Sequence, residues 1–161
     1  MIRALDNPPF DPRAHLLQIP HAQAIGIEYV DYDGALDQCT VKIPYAPHLV
    51  GDPDSGVIHG GPITALLDNA CGFVARPRNG VDEPVAIATL DMRIDYMTAA
   101  EPGKDVYAYA HCFKRSKNVA FVRATAYVDS IDHPIATATA TFMLGTRNVP
   151  FSEKHENTTT A

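Results

Sequence analysis

The chain has 161 residues, enough for one domain with one core and short for two. It is 46% hydrophobic and 20% charged, which excludes a disordered or collagen-like chain as a whole. Thirteen basic residues against nineteen acidic ones leave a formal charge of -6, which disfavours nucleic-acid binding through clustered Lys and Arg.

The N-terminus, MIRALDNPPFDPR, carries acids and prolines where a signal peptide needs an apolar stretch. No apolar run approaches the roughly eighteen residues of a membrane span, so a soluble, cytoplasmic protein with no membrane partner is expected. Pro8, Pro9, Pro12 and Pro20 punctuate residues 1–24, an N-terminal extension in which residues 13–19 predict a short helix. From Ile25 the pattern becomes that of a strand, with a two-residue hairpin signal at Asp33-Gly34 and a second strand through Cys39, Val41, Ile43 and Tyr45. A Pro-, Gly- and Asp-rich loop, residues 47–58, follows.

Residues 63–75 then form the one strong helix. Pro62 stands in its first turn after Gly60-Gly61, and it is apolar almost all round, which marks a buried helix. Everything later reads as antiparallel strand. Leu90, Met92, Ile94 and Tyr96 alternate with Thr89, Asp91, Arg93 and Asp95, a half-buried pattern. Residues 105–113, 119–128 and 135–144 supply three more strands, the last with an Ala-Thr alternation. Residues 146–161 read as a disordered polar tail, so the domain proper spans residues 25–145.

Helix and strands are segregated, so the fold class is α+β, with an antiparallel sheet curled around one central buried helix. Its faces of small Ala, Thr and Val side chains let the helix approach closely. The opposite face, with Tyr107, Tyr109 and Phe113, needs cover, so a subunit interface is expected.

Chemistry enters through residues that fit a buried helix badly. Asp68 is a carboxylate in an apolar segment and rarely stays there unpaired. Gly61, Thr64 or Ala65, Asp68 and Gly72 share one polar or small stripe. Two readings are open: Asp68 hydrogen-bonds a backbone group or pairs with a base such as Arg93 or Arg123, or the stripe faces a ligand cleft. His59-Gly60-Gly61 leads straight into the helix, where first-turn N–H groups and the dipole can hold a developing oxyanion. Asp68 lies about 10 Å further along the axis, too far to serve the same carbon readily from one chain. A second subunit solves that distance problem. The three cysteines, Cys39, Cys71 and Cys112, form no CxxC pair and read as buried thiols. The seven histidines fall in no metal-ligand spacing, so no metal site is expected.

The series His59-Gly60-Gly61, Leu66, Asp68, Gly72, with the later segment Thr89-Leu90-Asp91-Met92-Arg93-Ile94-Asp95-Tyr96, resembles the signature of hotdog-fold acyl-CoA thioesterases. The type is that of the PaaI-like and 4-hydroxybenzoyl-CoA thioesterases, and the resemblance covers roughly residues 20–145. It implies a hotdog fold and hydrolysis of an acyl-CoA thioester at sites shared across the interface of a homodimer at least, with a homotetramer expected. By that similarity the Gly60 N–H polarises the thioester carbonyl and His59 shapes the turn. Asp68 of the facing subunit is general base or nucleophile, and Thr89 orients the water. An outward strand threonine is the competing reading of Thr89. Relatives often carry an Asn in the loop before HGG. This loop lacks one, leaving His48 and Asp52 as candidates for its role. Lys114, Arg115, Ser116, Lys117 and Asn118 form a cationic hairpin that the resemblance makes a contact for the coenzyme A phosphates. Coenzyme A is then part of the substrate and no cofactor is implied. The alternatives are a hotdog-fold acyl-CoA hydratase or dehydratase, and a non-catalytic acyl-CoA-binding protein.

Overall fold

The computed structural model describes residue 14 and residues 18–77 and 85–146. The helix expected at residues 13–19 and the tail from residue 147 lie outside the described residues, apart from Ala14, Gln18 and Ile19. Pro20 opens a helix, α1 (Pro20–Ala24), because proline suits a first helical turn; the first strand therefore starts at Glu28, three residues later than expected.

Strands β1 (Glu28–Asp33) and β2 (Gln38–Ile43) form an antiparallel hairpin. Its turn is longer than the Asp33-Gly34 signal suggested. Asp33 Oδ1 accepts the N–H groups of Ala35 and Leu36, and Asp37 closes the turn at a φ of 52°. The segment read as a plain loop holds a single 3₁₀ turn (Pro47–Leu49) and a small ribbon of β3 (Val50–Asp52) and β4 (Val57–Ile58). Leu49 and Ile58 are buried, so this ribbon is tied to the core. Next come α2 (Gly60–Ala75) and the four strands β5 (Ile87–Tyr96), β6 (Val106–Arg115), β7 (Val119–Tyr127) and β8 (Ala136–Leu144).

The main sheet is antiparallel throughout, in the order β1-β2-β6-β7-β8-β5. Helix α2 packs against β2, β5, β6, β7 and β8, and its Phe73 meets Tyr32 of the edge strand β1 edge-on with ring centroids 5.4 Å apart, which requires the sheet to curl round the helix. Small side chains make that approach possible: Ala108, Ala110, Ala124, Ala126, Ala138 and Ala140 are all buried on this face. Against them α2 buries Leu66, Leu67, Ala70, Cys71 and Val74 completely. Each buried leucine side chain contributes about 1.5–3 kcal/mol. On the outer face Tyr107 stacks on Tyr127 with centroids 5.6 Å apart, and the Arg123 guanidinium lies 4.6 Å from the Phe113 ring centre.

Two β-bulges decide which side chains reach the helix. In β5 the register shifts between Thr89 and Asp91, leaving Leu90 as the extra residue, exposed on the surface. Thr89 therefore joins Met92 and Ile94 on the helix side, the reverse of the simple alternation. In β6 the shift falls between Cys112 and Lys114, with Phe113 as the extra residue. Beyond it Lys114 turns outward and Arg115 turns inward.

Candidate active site

The N-terminus of α2 is built by His59, its N-cap. The His59 backbone is extended (φ -62°, ψ 147°), and its Nδ1 accepts the Gly61 N–H at 2.9 Å. Accepting at Nδ1 fixes the neutral imidazole with its proton on Nε2. The His59 N–H donates to the Leu49 carbonyl at 2.9 Å, so the 3₁₀ turn before the ribbon helps set where the helix starts. Gly51 packs beside the His59 ring; a Cβ at Gly51 would come within 3.0 Å of His59 Cδ2. The Gly60 carbonyl accepts from the Tyr96 hydroxyl at 2.9 Å and from Thr64 Oγ1 at 3.0 Å. No acceptor among the described residues meets the Gly60 N–H. It is an uncommitted donor at the positive end of a sixteen-residue helix.

Eight residues further on, about 12 Å along the axis at 1.5 Å per residue, stands Asp68. It is half-buried, and its Oδ1 accepts the Thr89 hydroxyl at 3.1 Å. Asp68 and Thr89 therefore meet within one chain, through the bulge at Leu90. Neither arginine considered as a partner for Asp68 is used that way: Arg93 forks onto Asp95, and Arg123 lies over Phe113. The small stripe along α2 holds as drawn, since Gly61 and Thr64 are exposed and Ala65, Asp68 and Gly72 half-buried.

The hairpin of basic residues divides. Lys114 and Lys117 are exposed. Arg115 is committed to the other end of α2: its guanidinium donates to the carbonyls of Val74 (2.8 Å) and Ala75 (3.2 Å) and pairs with Asp37 at 2.8 Å. Those carbonyls have no further turn to bond, so Arg115 caps the helix. Ser116 and the Asn118 backbone build the turn, Ser116 Oγ accepting the Val119 N–H at 3.1 Å and the Asn118 carbonyl accepting the Leu144 N–H at 2.7 Å. His48 is exposed in the 3₁₀ turn. Asp52 is occupied with its own turn, where bonds from Ser55 and the Asp54 N–H hold its carboxyl below the usual range.

Tyr96 at the Gly60 carbonyl and Gly51 under the His59 ring are candidate-site residues the sequence did not single out, and Thr64 entered it only as part of the small stripe. The available signal was phase: Tyr96 shares the helix-facing side with Met92 and Ile94. The cysteines are buried free thiols, and burial pushes the Cys71 thiol up, which disqualifies it as a nucleophile. A groove of about 690 Å³ opens on the outer face of the sheet, between Asp31, Thr40, Asp105, Tyr107 and Tyr127, and holds none of these site residues.

A carboxylate steadied by a hydroxyl and a free N–H at a helix start are the parts of an acyl-transfer site. Comparison with known proteins points the same way. The model of the family described as "Thioesterase superfamily" matches residues 55–134. The medium/long-chain acyl-CoA thioesterase YigI of Escherichia coli (strain K12) is 28% identical over 138 residues, covering 79% of this chain and 86% of that protein. A protein of Pseudomonas aeruginosa known from its crystal structure is 39% identical with a TM-score of 0.71, over 82% of this chain and 95% of that one. The E. coli PaaI protein of the phenylacetic acid degradation operon shares the fold at 16% identity, with a TM-score of 0.67 over 82% of this chain and 90% of that one. No described helix is long and apolar enough to cross a membrane. Sheet, helix signature and relatives agree: the chain has the hotdog fold, belongs to the thioesterase superfamily and is a thioester hydrolase.

Proposed function

We propose that the chain hydrolyses acyl-CoA thioesters at a site shared between two copies, with Asp68 of one and Gly60 of the other. The observation that carries this reading is the Thr89–Asp68 hydrogen bond. It fixes one carboxylate oxygen, and the structure gives the other no donor among the described residues. Asp68 takes a proton from water as the water oxygen attacks the thioester carbon, or attacks that carbon itself. The Gly60 N–H stabilises the negative charge growing on the carbonyl oxygen. In the first route the C–S bond then breaks, the coenzyme leaves as a thiolate and takes up the proton, and the acid remains. In the second the broken C–S bond leaves a mixed anhydride on Asp68, and its hydrolysis by water frees the acid and supplies the proton to the thiolate. The relative named as a medium/long-chain acyl-CoA thioesterase supports the substrate class.

Two further features support the shared site. Asp68 and Gly60 of one chain are about two helical turns apart. The outer edge of β5 is unpaired and carries Leu90, exposed like Tyr96 and Met97 at the strand's end. Lys114 and Lys117 are the bases left to meet coenzyme phosphates, Arg115 being held at the helix end.

Thiol release from a panel of acyl-CoA esters tests the reading. The wild type turns over at least one ester. Asp68→Asn and Asp68→Ala each lose about 10²–10⁴-fold in kcat. Lys114→Ala and Lys117→Ala raise KM and leave kcat. Unchanged turnover in both Asp68 variants would contradict the mechanism. Tight binding without turnover by the wild type would make the protein an acyl-CoA binder.

A further inference from the structure

Three polar groups converge on the first peptide unit of α2. The Tyr96 hydroxyl lies 2.9 Å from the Gly60 oxygen, Thr64 Oγ1 lies 3.0 Å from it, and the two hydroxyls are 2.7 Å apart. On the far side of the same peptide, the Gly61 N–H donates to His59 Nδ1. The Gly60–Gly61 peptide is thus held by its oxygen and by its nitrogen. Without such bonds two successive glycines would be the loosest backbone in the site.

The two hydroxyls are not equivalent. A helical threonine bonding the carbonyl four residues back is a local habit of the residue type. Tyr96 comes from β5, 36 residues away in sequence, and is 51% exposed. Water would satisfy an exposed tyrosine hydroxyl, so its engagement with a main-chain carbonyl fixes something else. Two hydroxyl protons also cannot serve three contacts at full strength. The triangle holds the carbonyl in one orientation whichever hydroxyl donates.

We propose that Tyr96, with Thr64, is a positioning residue for thioester hydrolysis: by holding the Gly60–Gly61 peptide it restrains the Gly60 φ and ψ that orient the preceding His59–Gly60 peptide, and so aims the free Gly60 N–H at the reacting carbonyl oxygen. The inference rests on Gly60 being the oxyanion donor. Donor alignment matters because a hydrogen bond weakens steeply as its angle departs from linear. Misaimed, the donor stays present but stops stabilising the charge that develops in the transition state.

Tyr96→Phe keeps the ring and removes the hydroxyl. The expected result is a fall in kcat of about 10–100-fold with KM within about two-fold, the mark of a contact made only in the transition state. Thr64→Val lowers kcat in the same way, and Thr64→Ser retains it. Amide hydrogen exchange at Gly61 quickens in Tyr96→Phe, as the peptide it belongs to is released. Wild-type kcat in Tyr96→Phe, or an effect confined to KM, would overturn the inference while leaving the hydrolase reading intact. Should the wild type hydrolyse no ester, that reading fails by itself. Gly61 exchange then decides the positioning role, and unchanged exchange in Tyr96→Phe would overturn it.

Discussion

Gly60 offers a substitution that deletes one hydrogen-bond donor and little else. His59 already has the extended backbone that a residue before proline prefers, and Gly60 occupies the first helical position, where proline is favoured. Gly60→Pro is therefore expected to fold, with a Tm within a few degrees of the wild type. Its kcat is expected to fall by about 10²–10³-fold, the usual cost of an oxyanion donor. Wild-type kcat in a folded Gly60→Pro protein would remove Gly60 from the mechanism. At this scale much of the candidate site was legible. Asp68 stood out because an apolar helix does not tolerate a stray carboxylate, and Gly60 because two glycines preceded that helix. For Tyr96 strand phase marks only the helix-facing side, and its partner, a backbone carbonyl 36 residues earlier, leaves no mark in the side-chain pattern.

At the level of elements, β5 and β6 each change phase once. Strand alternation predicts the face of every side chain only while the register holds. The bulges at Leu90 and Phe113 break it, so Thr89 and Arg115 face α2 where simple counting turns them away. One of these side chains reaches Asp68 and the other closes the helix. Arg115 ties the Val74 and Ala75 carbonyls to Asp37 in the β1–β2 turn and is only 22% exposed. Arg115→Met would leave those carbonyls and the Asp37 carboxylate short of donors. The expected cost is about 2–4 kcal/mol in urea unfolding, against less than about 0.5 kcal/mol for Lys117→Ala on the exposed side of the same hairpin. Equal effects of the two substitutions would show that the basic hairpin is a uniform solvated turn. The α+β order, the buried helix and the late run of strands were readable from periodicity. The ribbon of β3 and β4 was not, because three residues and two are too short to carry an alternation.

For the whole molecule, the fold closes on one chain and the proposed chemistry does not. The face of the sheet toward α2 is filled by alanines, while the free edge of β5 and the aromatic outer face remain open to another copy. The net charge of -6 sits on a chain whose free hairpin lysines suit a polyanionic substrate. Subunit complementation tests the shared site most directly. Asp68→Asn and Gly60→Pro proteins, each nearly inactive alone, are unfolded together and refolded as an equal mixture. Half the dimers then pair the two variants, and each mixed dimer has one site with intact Gly60 and intact Asp68. Thiol release from acyl-CoA should return to about a quarter of the wild-type rate. A mixture no more active than its separate components would contradict the account and confine Asp68 and Gly60 to sites within a single chain.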